Sequence, residues 1–183
     1  MLADKLARAI TYATKKHEGQ VRKVDGAPYI VHPYRVAMLL KEEGYDDDIV
    51  IAGLLHDVVE DTDGTIGEIS NLFGHQIAQL VSVATEPDKT KPWVERKKHT
   101  IKHLVEAPLE ARLVVCADKI DNLRSIIENE QALGVDIWKH FNSSKEDQQW
   151  YYQEIYKSLK TNLSSTSTPA LFMQLEQLID QFK

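Results

Sequence analysis

Apolar side chains recur at three- and four-residue intervals along almost the whole chain, and strict apolar/polar alternation persists nowhere, so the pattern predicts an all-α protein. Leu2, Leu6, Ala9, Ile10 and Ala13 line one face of a first amphipathic segment. A loop rich in Gly and Pro, Gly19 to Pro28, leads to a helix over about Pro33 to Glu43, with Pro33 in the first turn and Gly44 ending it. Asp46, Asp47 and Asp48 offer caps and dipole complements for a central helix over 47–60, which carries the apolar run Ile49 to Leu55 and then His56-Asp57. Thr65-Ile66-Gly67-Glu68 reads as a capping box, and Gly74 separates that short helix from one over 75–85. Pro87 and Pro92 bound a loop, helices follow over 93–106 and 108–128, and Gly134 marks a linker. A long helix from Ser144 to Leu163 and a terminal one from Thr168-Pro169 complete the pattern, joined by the short polar stretch Ser164 to Thr168.

Composition narrows what such a bundle can do. A chain of 183 residues with 43% hydrophobic positions fits a single domain, 1–183, with a sizeable core. The net charge of −6 would repel a polyanion, and no long basic run offsets it, so nucleic acid is excluded as a partner. Two local basic clusters, Arg22-Lys23 and Arg96-Lys97-Lys98, are suited to a small phosphorylated ligand, the other reading being solvated surface. The charged N-terminus lacks the apolar stretch of a signal peptide, and no apolar run approaches the roughly 20 residues that cross a bilayer. A cytoplasmic, membrane-free protein is expected. The single Cys116 lies in an apolar run and reads as a buried thiol.

His56-Asp57-Val58-Val59-Glu60-Asp61 crowds four ionisable residues directly after an apolar run, where unpaired charge costs several kcal/mol. On a helix Asp57, Glu60 and Asp61 share a face and repel one another unless a cation intervenes, although an acidic helix end in water would also account for them. A second apolar run, Leu113 to Ala117, ends in Asp118-Lys119-Ile120-Asp121-Asn122, with Asn122 on the face of Asp118. His32 stands beside Pro33 at a loop-to-helix junction. Two imidazoles and two carboxylates, His32, His56, Asp57 and Asp118, suit a transition ion such as Mn, Fe or Zn better than Ca. Such a shell leaves room for water and a phosphate oxygen, which points to hydrolysis at phosphorus.

These blocks resemble the HD superfamily of metal-dependent phosphohydrolases, and within it the hydrolase domain of the RelA/SpoT family and its small stand-alone alarmone hydrolases, over about residues 1–165. The match runs through His17-Glu18-Gly19-Gln20-Val21-Arg22-Lys23 and Gly26 to Pro33, then Leu54 to Thr62, Glu95-Arg96-Lys97, and Ala117 to Arg124, in family order. The resemblance implies that His32, His56, Asp57 and Asp118 bind Mn2+, and that Glu60 and Asp61, the pair distinguishing alarmone hydrolases, position or deprotonate the attacking water. It implies that Arg22, Lys23, Arg96, Lys97 and Asn122 hold the nucleotide. The implied substrate is guanosine tetraphosphate or pentaphosphate, (p)ppGpp, cleaved to GDP or GTP and pyrophosphate. The chain ends too soon for the synthetase and regulatory domains of long family members, so a hydrolase-only enzyme is expected.

Two departures bear on substrate. The loop from Arg22 to His32 is one residue longer than in the long bacterial enzymes, and Thr85-Glu86-Pro87 replaces a threonine-lysine segment. The resemblance also permits NADPH as a substrate. The rival readings are therefore another HD-type nucleotide phosphohydrolase, such as an NADPH 2′-phosphatase, and a non-catalytic nucleotide sensor. Trp93, Trp138, Trp150, Tyr151 and Tyr152 fall at helical spacing and are assigned to the core rather than to the site.

Overall fold

The computed structural model describes residues 2–86, 89–164 and 166–183. In these residues the chain is all α: α1 (Leu2–Lys16), α2 (Val31–Glu42), α3 (Asp47–Leu55), α4 (Val58–Asp61), α5 (Ile66–Phe73), α6 (His75–Ala84), α7 (Trp93–Glu106), α8 (Leu109–Leu133), α9 (Lys145–Leu159) and α10 (Ala170–Gln181). A short 3-10 helix, Gly134–His140, follows α8, and one isolated antiparallel bridge pairs Val21 with Pro28. Pro87, expected to open the loop before α7, lies outside the described residues, while Pro92 caps α7.

Helix α3 is apolar all round, and every residue from Ile49 to Leu55 is buried, which places it at the centre against α1, α2, α6 and α8. Its capping differs in detail from expectation. Asp46 occupies the N-cap without a side-chain bond, whereas Asp47 and Asp48 pair with Lys41 and Lys5, both at 2.8 Å. Thr65 does accept from the Glu68 N–H, at 3.1 Å, but the Glu68 carboxylate turns to Lys16 instead of closing the box. A complete capping box occurs at Ser144 and Asp147.

The close approach of α2 and α3 depends on Gly53. A Cβ there would lie 2.5 Å from Leu40 Cδ1 and 3.3 Å from Val36 Cγ1, both in the core. The absent side chain lets the two helix backbones meet, and that meeting sets His32 against His56.

The helix expected over 47–60 is interrupted. The Gly53 carbonyl, which a continuing helix would give to the Asp57 N–H, accepts from the His56 ring at 2.7 Å, and α3 ends at Leu55 before α4 starts at Val58. Elsewhere α2 starts two residues before Pro33, still leaving that proline in the first turn. Helix α8 runs to Leu133, beyond the expected 128, because no breaker intervenes before Gly134, which stops it at φ 64°. Helix α9 ends at Leu159, short of 163, where Asn162 takes a left-handed φ of 62°. Helix α10 then packs on α8 and α9.

Candidate active site

Four ligand atoms converge where the first turn of α2, the α3–α4 break and the middle of α8 meet. His32 Nε2 lies 3.3 Å from His56 Nε2 and 3.2 Å from Asp118 Oδ1. Asp57 Oδ2 stands 3.2 Å from His56 Nε2 and 3.5 Å from His32 Nε2, and His56 Nε2 is 3.6 Å from Asp118 Oδ1. Metal bonds of about 2.0–2.2 Å at right angles put neighbouring donors about 3 Å apart, so this spacing fits one transition ion. His32, His56 and Asp118 form the ligand triplet whose atoms all fall within 4.8 Å of one another, and Asp57 closes the fourth side.

The ring tautomers agree with that fit. His56 Nδ1 must carry a proton, because its partner is the Gly53 carbonyl, which only accepts. His32 Nδ1 donates to Asp121 Oδ2 at 2.7 Å. Both Nε2 lone pairs are thereby aimed at the shared centre, and each imidazole has the outer partner that metal-bound histidines require. Neither ring is more than 2% exposed.

Without a cation the cluster holds protons instead. Burial opposes charge on His56, but Asp57 and Asp118 outweigh it and hold the ring's pKa well above the usual value. The same contest raises His32, with Asp118 and Asp121 as the opposing partners. Burial raises Asp57 and the His56 ring lowers it, with a net fall, and Asp118 is held well down against burial by Lys119 and the two histidines.

Glu60 and Asp61 lie beside this centre. Glu60 Oε2 accepts the Glu86 N–H at 3.1 Å, and Lys89 Nζ reaches Glu60 Oε1 at 3.4 Å while also pairing with Asp61. Burial, and then the Asp57 charge, raise the Glu60 pKa despite these donors. Together with Asp57 and Asp118, Glu60 and Asp61 line a cavity of about 170 Å³.

Tyr29, Lys97, Lys119 and Asn122 line both that cavity and a second, adjacent space of about 320 Å³. Arg22 and Lys23 line the outer space, as do the Trp93, Tyr151 and Tyr152 rings that periodicity had assigned to the core alone. Trp138 and Trp150 stay in the packing, against Phe141 and Trp93 respectively. Asn122 donates to Asp118 Oδ1 and Lys97 lines both spaces, but Arg96 borders neither of them. Arg96 and Lys97 both pair with Glu86, the residue standing where a lysine was expected from the family pattern.

Residues 9–146 match the HD domain family. The chain belongs to that family. Among curated HD relatives, human guanosine-3′,5′-bis(diphosphate) 3′-pyrophosphohydrolase MESH1 is 44% identical over 127 residues, covering 68% of this chain and 70% of that one. The Aquifex aeolicus guanosine-3′,5′-bis(diphosphate) 3′-pyrophosphohydrolase is 38% identical over 68% of this chain but only 18% of its own length. A solved structure described as a metazoan ortholog of SpoT that hydrolyzes ppGpp superposes with a TM-score of 0.79 at 30% identity, covering 97% of this chain and 94% of that one. A Listeria monocytogenes EGD-e protein superposes at 0.76 with 37% identity, over 82% and 97% of the two chains.

Within this HD chain the structure adds residues that spacing had not singled out. Asp121 orients His32, and Tyr29 sits 2.6 Å from Asp57 Oδ2. Lys119 Nζ lies 2.7 Å from Asp118 Oδ2, and burial, which would lower its pKa, is outweighed by that carboxylate. Asp121 falls three residues after Asp118 on α8, and that helical offset was the available signal, whereas Tyr29 lies in the turn before α2.

Proposed function

We propose that the chain is a divalent-metal-dependent guanosine-3′,5′-bis(diphosphate) 3′-pyrophosphohydrolase, with residues 1–183 working as one domain in the cytoplasm. The observation that carries this reading is the convergence of His32, His56, Asp57 and Asp118 beside the Glu60-Asp61 pair, on a cavity that shares four lining residues with a basic and aromatic space. Manganese is the proposed ion, on the mixed imidazole and carboxylate donor set. Bound there, it supplies Lewis-acid polarisation of a phosphoryl oxygen and acidifies water in its shell.

The chain's own groups do the rest. Glu60, with its raised pKa, accepts the proton of the attacking water, and Asp61 orients that water toward phosphorus. The bond that breaks joins the 3′ phosphorus to the ribose oxygen, which leaves as a hydroxyl after gaining a proton, and the water oxygen departs with pyrophosphate. Lys97, Lys119 and Asn122, at the junction of the two spaces, hold the phosphates, while Arg22 and Lys23 hold the nucleotide in the outer one. Trp93 and Tyr151 offer faces on which a base can stack.

The test is product analysis by anion-exchange chromatography after incubation with guanosine tetraphosphate and Mn2+, beside NADPH and chelated controls. GDP and pyrophosphate formed only with the metal are expected. Release of phosphate from NADPH alone would transfer the same chemistry to the rival substrate, and nucleotide binding without product would make the chain a sensor.

A further inference from the structure

The loop that carries Arg22 and Lys23 is tied to the hydrolytic residues by two side chains that the mechanism above does not use. The Tyr29 hydroxyl lies 2.6 Å from Asp57 Oδ2 and 3.0 Å from Asp61 Oδ2. The first is the same oxygen that faces both histidine Nε2 atoms. A hydroxyl has one proton, and the two carboxylates share it, Asp57 at the shorter distance, so that the Asp57 oxygen keeps its other lone pair for the cation. Gln20 reaches the same turn from the other side, its Nε2 donating to the Asp61 backbone carbonyl at 2.7 Å.

Both residues are themselves held. Tyr29 N–H donates to the Gln20 carbonyl at 2.9 Å, and its ring rests on His17, with centroids 5.1 Å apart. His17 Nδ1 meets Gln20 Oε1 at 2.8 Å, and its Nε2 is buried with no hydrogen-bond partner among the described residues.

We infer that Tyr29 and Gln20 are positioning residues with separable tasks: Tyr29 sets both the cation ligand Asp57 and the water-orienting Asp61, whereas Gln20 sets only the backbone of Asp61. The inference rests on the metal-dependent reading above, but one of its two readouts needs no substrate. A lost hydrogen bond to a ligand usually weakens metal affinity or activity by about 10–100-fold. Tyr29→Phe keeps the ring on His17 and removes only the oxygen, so it should weaken Mn2+ binding by about tenfold or more in calorimetry on the nucleotide-free protein. At saturating Mn2+ it should also lower kcat with little change in KM. Gln20→Leu should leave Mn2+ affinity unchanged and lower kcat alone, again with KM preserved.

Equal Mn2+ affinity in wild type and a folded Tyr29→Phe protein would overturn the assignment of Tyr29, and an undiminished kcat in Gln20→Leu would overturn that of Gln20. If circular dichroism shows Tyr29→Phe to be unfolded, Tyr29→Trp and Gln20→Leu decide the matter: a loss of Mn2+ affinity confined to the Tyr29 variant supports the division, and parallel losses refute it. If wild type turns over neither guanosine tetraphosphate nor NADPH, the functional reading has failed. The calorimetric comparison then judges the Tyr29 assignment on its own.

Discussion

The His–Asp corner and the nucleotide wall share Lys119 and Asn122 but are built from different material. The corner comes from buried helix: α2, the end of α3 and α8 supply His32, His56 and Asp118, with Gly53 letting the helices close. The wall comes from the loop after α1, the start of α7, and α9, and three of its cations are already engaged, Lys97 by Glu86, Lys119 by Asp118 and Arg22 within 3.8 Å of Asp121. Rigid helices fix ligand atoms to the tolerance a metal needs. A wall of engaged cations must instead exchange partners when a phosphate arrives. Damage to the corner should therefore remove activity outright, and damage to the wall should only tune it.

The largest expected effect is that of Asp118→Ala. It removes one ligand, leaves Lys119 buried without its 2.7 Å partner, and should reduce both Mn2+ binding in calorimetry and turnover to the chelated background. Glu60→Gln tests the boundary of the corner. It should keep Mn2+ affinity and lower kcat by about 10²–10⁴-fold, the usual scale for losing a general base, measured at saturating metal. An unchanged rate would take Glu60 out of the proton-transfer role.

The same contrast explains how much was legible in the sequence. His56-Asp57 and Asp118 each follow an apolar run, so a carboxylate at the end of a buried helix announced itself by charge in the wrong place. His32 came from its position beside Pro33. The break between α3 and α4 was not legible, because it arises when the His56 ring takes the Gly53 carbonyl, a side-chain choice that apolar periodicity does not encode. The wall was harder still. Tyr29, Lys119 and the rings of Trp93 and Tyr151 serve packing and pocket at once, and helical spacing reports only the packing. Glu86 stood out as a departure from the family pattern, yet its hold on Arg96 and Lys97 depends on how α7 is placed against the end of α6.

Acidity should expose the corner next. His32 and His56 have raised pKa values in the cation-free protein, so at low pH they hold protons that a metal must displace. Mn2+ affinity should fall as pH drops through those raised values, by about tenfold per unit for each proton displaced, with proton release visible as buffer-dependent calorimetric heat. Stability of the metal-free fold has the opposite sign for these rings: their contribution is full below the unfolded histidine value and is lost as pH rises through the folded one. The depressed carboxyls Asp57 and Asp118 contribute above the unfolded carboxylate value and lose that contribution as pH falls through their folded ones. Metal-free protein should therefore be most stable between about pH 4 and 6.5, and metal should stabilise it most above that window. A metal-induced shift in melting temperature that shrinks with rising pH would contradict this.

Gly53→Ala strikes the corner through packing alone. Overpacking costs about 1–3 kcal/mol, and alanine regains up to about 1 kcal/mol of helix propensity, so a net loss of about 1–2 kcal/mol is expected in denaturant unfolding. Because the displaced atoms belong to Leu40 and Val36 of α2, His32 should shift with them, and Mn2+ affinity should fall in parallel.

The smallest effect, and the one that separates wall from corner, is that of Glu86→Gln. Glu86 is half-buried, and although burial works against its charge, Lys97, Lys119 and Arg96 hold its pKa below the usual carboxylate range. Removing that charge frees Lys97 for phosphate and leaves intact the backbone N–H that Glu60 accepts. A charge-assisted hydrogen bond is worth about 1.5–3 kcal/mol, but part of it is already spent on competition with Glu86, so KM for the phosphorylated substrate should fall by only about three- to tenfold with kcat unchanged. Lys97→Met should move KM the other way by a similar factor, since Lys97 borders both spaces, and Arg96→Met should move it less, since Arg96 borders neither. A Glu86→Gln protein with lowered kcat and unaltered KM would mean that this carboxylate serves Glu60 rather than the wall, and the division between the two regions would have to be redrawn at Glu86.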